Sequence, residues 1–301
     1  MSGIVLGANR YGKAEVRLVR VARRGERHEL VDLEVTVALA GDLADTHLSG
    51  DNSKVLPTDS QKNTVYGFAR DWNRDGVAEI EEFGLRLARH FVDSQPSIHK
   101  ARIEILEYPW ERLSVDGEPA PHSFARSGRE LRTATVSYDG EHAFVVSGLR
   151  DLVLMNTTDS EFQGYVKDRY TTLSETTDRI LATAVNARWR HLALDTAWGK
   201  SYAECRRHLI EAFAGTHSRS LQQTLYAMGH RMLTHRPELA EVRLSLPNKH
   251  HFLVDLSPFG LDNPGEVFHA SDRPYGLIEG TVARDGVPPA PLAWDLSEGG
   301  L

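Results

Sequence analysis

The sequence holds a single cysteine, Cys205. That excludes an intramolecular disulfide and any cysteine-rich zinc site. Its helical spacing among apolar residues marks it as a buried structural thiol. No apolar run approaches the ~20 residues that span a bilayer. The opening Met1-Ser2-Gly3-Ile4-Val5-Leu6-Gly7 lacks the charged and long apolar regions of a secretory signal. The closing Glu298-Gly299-Gly300-Leu301 is not a Ser-Lys-Leu peroxisomal address, so the expected location is the cytoplasm, with no membrane partner. An excess of positive charge is missing too: Lys+Arg 35 against Asp+Glu 42 gives a net charge of −7 over 301 residues. Nucleic-acid binders normally carry a basic excess or stripe, and the short cluster Arg20-Val21-Ala22-Arg23-Arg24 is diluted by Glu26 and Glu29. Phosphate loops, dinucleotide fingerprints and hydrolase triads have no match.

What is present is core material: 41% hydrophobic and 26% charged residues, as in a soluble globular chain. The length suggests about two domains. Lys13–Val21 alternates Ala14, Val16 and Leu18 against Lys13, Glu15 and Arg17, which predicts a strand. A turn at Arg24-Gly25-Glu26 leads into a second strand over His28–Ala38. Thr58 with Gln61 three residues on has the form of a capping box opening a helix through Val65, Phe68 and Ala69. A second helix spans Ile80–Phe91, with Ile80, Phe83, Leu87 and Phe91 at core spacing. Strands over Ala101–Tyr108 and Glu130–Tyr138 complete a β-β-α-α-β-β order.

The second half repeats that order. It has strands over Ala143–Asn156 and Arg179–Leu194, a helix over Tyr202–Phe213, and a second helix capped by Ser220 with Gln223. Strands over Val242–Leu256 and Gly276–Val282 close it. The repeat is one of element order, without sequence identity between the halves. The expected architecture is therefore α+β, with domains 1–139 and 140–301. Asp71–Gly76 and Ser114–Gly128 read as loops, and the Pro-rich tail from Asp285 as an extended arm. Open antiparallel sheets of this kind expose edges that oligomerisation can pair.

Four places concentrate polar chemistry. Lys13 stands at a strand start, where a lysine serves as a base only if desolvated or set beside another cation; otherwise it is a solvated charge. Thr58-Asp59 opens a helix, so Thr58 is either a plain cap or part of an anion site built from free N–H groups and the helix dipole. Leu221-Gln222 opens another helix, where the Gln222 amide is a surface group or a reader of a ligand's carbonyl edge. Along Ser245–Phe252, strand alternation separates His250 from His251, which disfavours a shared metal ion, and puts Asn248 beside His250. An amide beside an imidazole suits oriented water or a proton relay.

Taken together, these segments resemble the urate oxidase (uricase) family. The matching blocks are Tyr11-Gly12-Lys13-Ala14-Glu15-Val16-Arg17, Thr58–Tyr66, Tyr170-Thr171-Thr172-Leu173, Asp178–Thr183, Leu221-Gln222-Gln223-Thr224 and Ser245–Phe252. They follow family order over nearly the whole chain. The resemblance implies two tandem T-fold (tunnelling fold) domains, a homotetramer enclosing a tunnel, and active sites between subunits. It implies oxidation of urate by O2 and water to 5-hydroxyisourate and hydrogen peroxide, with no metal and no organic cofactor. Lys13, Thr58 and His250 would move the proton. Arg179 and Gln222 would grip opposite edges of the purine, with backbone N–H groups of Asp59 and Leu221 adding donors. Phe162 would stack on the ring, and Asn248 would hold oxygen or water above it. Two other readings stand beside this one: a T-fold enzyme handling pterins, which would want a Cys/His metal set or a carboxylate anchor, and a non-catalytic purine-binding module.

Overall fold

A computed structural model describes residues 3–72 and 79–295. Contacts divide it into two compact units. The first is Met1–Gly148 with Arg190–Gly199 and Gly286–Leu301, and the second is Leu149–Trp189 with Lys200–Asp285. Two later segments, Arg190–Gly199 and Gly286–Leu301, thus belong with the first unit.

The first unit begins with β1 (Tyr11–Arg24) and β2 (Arg27–Gly41), then α1 (Ala44–Leu48), α2 (Thr58–Arg70) and α3 (Ile80–Ser94). Four strands follow: β3 (Ile98–Glu107), β4 (Trp110–Val115), β5 (Glu118–Arg126) and β6 (Leu131–Tyr138). The antiparallel sheet runs β1-β2-β3-β6, and β4 and β5 form a separate hairpin. Val35, Val37, Ile103, Ile105, Val136, Phe83, Leu87 and Phe91 fill its core. Burial of the α3 stripe follows the expected 3.6-residue period.

Several expectations change here. Alternation in β1 breaks at a bulge between Lys13 and Val16, where Glu15 takes φ 56° and gives its N–H to Thr36 Oγ1 at 3.0 Å. Val16 is buried while Ala14 is exposed, so the two do not share a face as expected. A bulge of this kind re-aims the strand end that carries Lys13. Ser114–Gly128 is largely the hairpin strand β5, not a loop. Of the expected loop at 71–76, residues 73–76 lie outside the described residues. Pro57, not Thr58, is the N-cap of α2, and no side chain caps it. Gln61 instead turns inward, its Nε2 donating to the Leu56 carbonyl at 3.2 Å.

The second unit takes most of β7 (Ala143–Asn156), β8 (Leu181–His191) and α4 (Trp198–Gly215), and all of α5 (Leu221–His235) and β9 (Leu239–Leu253). β10 (Phe268–Ser271) and β11 (Leu277–Ala283) both pair with β9. β7, β8 and β9 lie side by side, and α5 packs on β9 and β11. The core is Val185, Trp189, Leu209, Met228, Met232, Val242, Leu244 and Leu246, with Cys205 buried among them. Burial pushes the Cys205 thiol up to about 12. The tail is not wholly extended: α6 (Pro291–Trp294) buries Leu292 and Ala293. No helix among the described residues is long and apolar enough to cross a membrane.

Candidate active site

The first unit brings Lys13, Thr58 and Asp59 to one place through a clamp. The Tyr11 hydroxyl donates to the Leu56 carbonyl and accepts from the Leu56 N–H, both at 3.0 Å. That fixes the start of β1 against the residue pair leading into α2. Gln61 completes the clamp and is fully buried; burial also pushes the Tyr11 phenol up. Gly12 is required by close approach, since a Cβ there would sit 1.8 Å from the Val37 carbonyl oxygen. Lys13 is thereby pinned opposite Val37.

Because Pro57 occupies the cap position, the Thr58 hydroxyl is not spent on capping and makes no hydrogen bond among the described residues. The Asp59 carboxylate accepts from Lys62 at 2.5 Å and from Asn63 at 3.0 Å. These bonds, with Lys13 adding attraction, hold it below the usual carboxylate range. A cavity of about 820 Å³ in this unit lies between β1 and α2, lined by Leu18, Arg20, Tyr66 and Arg70. It contains none of the expected site residues.

The second unit gathers the other six. Arg179 lies over the Phe162 ring, its guanidinium carbon 5.2 Å from the ring centroid. Its Nε is buried without a hydrogen-bond partner, and among the described residues it forms no ion pair. Burial pulls its pKa down. An unpaired, partly buried guanidinium is costly unless an anion completes it. Tyr165 stacks on Phe162 with centroids 4.8 Å apart.

Hydrogen bonds carry this loop to the start of α5. Phe162 and Thr176 exchange backbone bonds of 2.9 and 3.1 Å, and the Glu161 N–H reaches the Ser218 carbonyl at 2.7 Å. Ser218 in turn accepts from Thr224 on α5 at 2.8 Å. Ser220 caps α5 as expected, accepting from the Gln223 N–H at 3.2 Å. The Leu221 and Gln222 N–H groups are left at the positive helix end without acceptors among the described residues. Leu221 is buried and Gln222 exposed. Thr183, four residues past Arg179, donates to the Pro247 carbonyl at 2.9 Å and so fixes the strand next to Asn248. β9 changes partner here, pairing with β11 up to Pro247 and with β10 from His250. Asn248 and His250 stand two apart on that strand, both half-buried.

Likeness to known proteins places the chain in a family. The uricase family profile matches residues 9–137 and 145–279. The chain belongs to the uricase family. It is 50% identical to the uricase of Arthrobacter globiformis over 283 residues, covering 94% of this chain and 91% of that one. To the uricase of Dictyostelium discoideum it is 39% identical, covering 92% and 96%. The crystal structure of the Arthrobacter globiformis uricase superposes with a TM-score of 0.90 at 49% identity, over 96% of this chain and 98% of that one. A uricase structure from Bacillus fastidious gives 0.79 at 27% identity, over 93% and 94%.

Sequence reasoning missed the supports of this candidate site. Tyr11 and Gly12 stand inside the quoted motifs, yet they act on Leu56 and Val37, which lie far along the chain, and Gln61 turns back onto Leu56 where a capping role was expected. Ser218 and Thr224 work through backbone and hydroxyl bonds that leave no periodic trace.

Proposed function

We propose that the chain oxidises urate with O2 and water to 5-hydroxyisourate and hydrogen peroxide, using side chains alone. The observation that supports this most is Arg179: an unpaired guanidinium over an aromatic ring, tied to a helix start with two free N–H groups. Urate is an anion at neutral pH, and a planar fork of donors matches its carbonyl and ring-nitrogen edge. Gln222 takes the opposite carbonyl and N–H edge, the Leu221 and Asp59 amides donate to it, and Phe162 covers the ring face. Nearly all these groups are donors, which suits an anion and not a metal ion.

The monoanion must lose a further proton before it can reduce oxygen. Thr58 carries that proton through its uncommitted hydroxyl, Lys13 draws it away, and His250 shuttles it. Asn248 holds O2, and then water, above the ring. Two electrons pass from urate to O2, giving peroxide, and water adds to the oxidised ring. We further propose two tandem T-fold domains, 1–139 and 140–301, in a homotetramer. The Lys13, Thr58 and Asp59 group of one subunit then completes the Arg179 and Gln222 group of another. β1 has β2 as its partner and carries Val19 exposed at 58% on that edge, which favours pairing with a second copy.

Dialysed, chelator-treated protein should still remove urate absorbance in step with oxygen uptake, one peroxide per urate. Strict dependence on added metal would overturn the reading. Tight urate binding with no oxygen uptake would leave a purine-binding module instead.

A further inference from the structure

The two halves match more closely than in element order. Their second helices are both 15 residues long, and at a constant offset of 141 Ile80 aligns with Leu221 and Ile98 with Leu239. Without a gap, the window 79–109 lies over 220–250. Pro96 meets Pro237, Arg102 meets Arg243, and Ile103 and Ile105 meet Leu244 and Leu246.

Packing is reciprocal across the repeat. In the first unit Gly84 makes room for Val136; in the second, at the matching positions, Gly280 makes room for Leu225. A positive-φ residue bonded to a side chain of the next strand repeats as well. Glu15 gives its N–H to Thr36 Oγ1, and Asp151, also at positive φ, gives its N–H to Asn186 Oδ1.

On this alignment Gln222 corresponds to Glu81 and Asn248 to Glu107. Those two carboxylates converge on one residue of the first unit, Arg132. Its Nη2 lies 2.7 Å from Glu81 and 2.8 Å from Glu79, and its Nη1 lies 3.7 Å from Glu107. Glu81 is fully buried and also accepts from Ser147 at 2.7 Å, which contacts His191 at 3.0 Å. Burial holds both Glu81 and Glu107 above the ordinary carboxylate range. In the ladders Arg132 stands opposite Glu107. The residue standing opposite Asn248 is Gly276, whose carbonyl accepts the Asn248 N–H at 2.8 Å. Where one half has a planar guanidinium, the other has no side chain at all. A Cβ added at Gly276 would meet only ordinary contacts, 3.6 Å from Ile278 and 4.0 Å from Asn248.

We infer that the first unit holds a second copy of the purine-edge site, closed by its own arginine: the planar Arg132 guanidinium occupies the place that Gly276 leaves open for the ligand. Emptied of Arg132, this copy takes small planar cations with a guanidine or amidine edge. The inference rests on the proposed function, in which Gln222 holds the urate edge and Asn248 the space above the ring.

The test is Arg132→Gly, which copies Gly276, melted with low-millimolar guanidinium, methylguanidinium or methylammonium chloride at matched ionic strength. The planar cations should raise its Tm saturably, by about 3 °C at tenfold excess over Kd. Methylammonium should not, and wild type should show no rise. A variant that no planar cation stabilises, or that methylammonium stabilises equally, overturns the inference. If Arg132→Gly does not fold, the reverse variant decides. Gly276→Arg should keep the wild-type Tm yet lose urate binding at least tenfold, and unchanged urate binding contradicts the match. The cation melts read the first unit without reference to urate. Wild type that ignores urate while the melts succeed therefore defeats only the proposed function.

Discussion

Lys13 and Arg179 are both cations with no carboxylate in ion-pair reach among the described residues, yet their surroundings differ. Arg179 is half-buried on Phe162 beside free helix N–H groups, whereas Lys13 sits half-buried at a bulge, in the field of Asp59. On the proposed function, the first arrangement binds the urate anion and the second moves a proton. Lys13→Met or Thr58→Val should therefore lower kcat by about 10²–10⁴, the usual scale for a lost acid–base group, with urate still binding. Near-normal rates in both would remove the relay. Family membership was legible because the blocks that carry it are contiguous. Thr58 was read as a cap or an anion site, and the structure separates the two: Pro57 takes the cap position and leaves the hydroxyl uncommitted.

Glu81 gives the clearest pH dependence. Its folded-state pKa is raised by burial, so the fold favours the protonated form. The stability from that preference is complete below the ordinary carboxylate value and is lost as pH rises through the raised value. Glu81→Gln keeps acceptors for Ser147 and Arg132 but cannot ionise. Its Tm relative to wild type should rise as pH climbs above the ordinary carboxylate value. A difference that stays flat or falls would show that Glu81 is ionised across that range.

At the scale of elements, the start of β1 positions Lys13 and, through the Tyr11–Leu56 clamp, ties it to the start of α2. Gly12→Ala drives a Cβ into the Val37 carbonyl, and backbone overlap of that size has no side-chain remedy. The strand end must lift, so activity should fall at least tenfold and Tm by several degrees, with about 1–3 kcal/mol lost to overpacking. Wild-type kinetics in this variant would mean that Lys13 does not depend on the Tyr11–Leu56 clamp. Helix α3 was readable from sequence because its buried residues fall on one 3.6-residue stripe. The β4–β5 hairpin was not, because β4 has no buried residue and so writes no alternation into the sequence. The β1 bulge was hidden for a different reason. It is set by a Thr36 hydroxyl on the neighbouring strand, 21 residues away.

At the scale of the whole molecule, the described residues form two compact units, and the inferred duplication would make them copies that diverged at the site. The element order was the trace of it in the sequence. The residue match over 79–109 and 220–250 did not stand out, because only Pro96/Pro237 and Arg102/Arg243 are identical and the apolar matches are conservative exchanges. Each unit holds part of the proposed site: Lys13, Thr58 and Asp59 in one, and Phe162, Arg179, Leu221, Gln222, Asn248 and His250 in the other. The proposal joins these parts across subunits, and mixing inactive chains tests that directly. Lys13→Met and Arg179→Ala chains, each inactive alone, should on co-assembly recover about a quarter of wild-type urate oxidation, since random pairing leaves that fraction of sites with both groups intact. No recovery from verified mixed oligomers would contradict the account, because every site would then be built from a single chain.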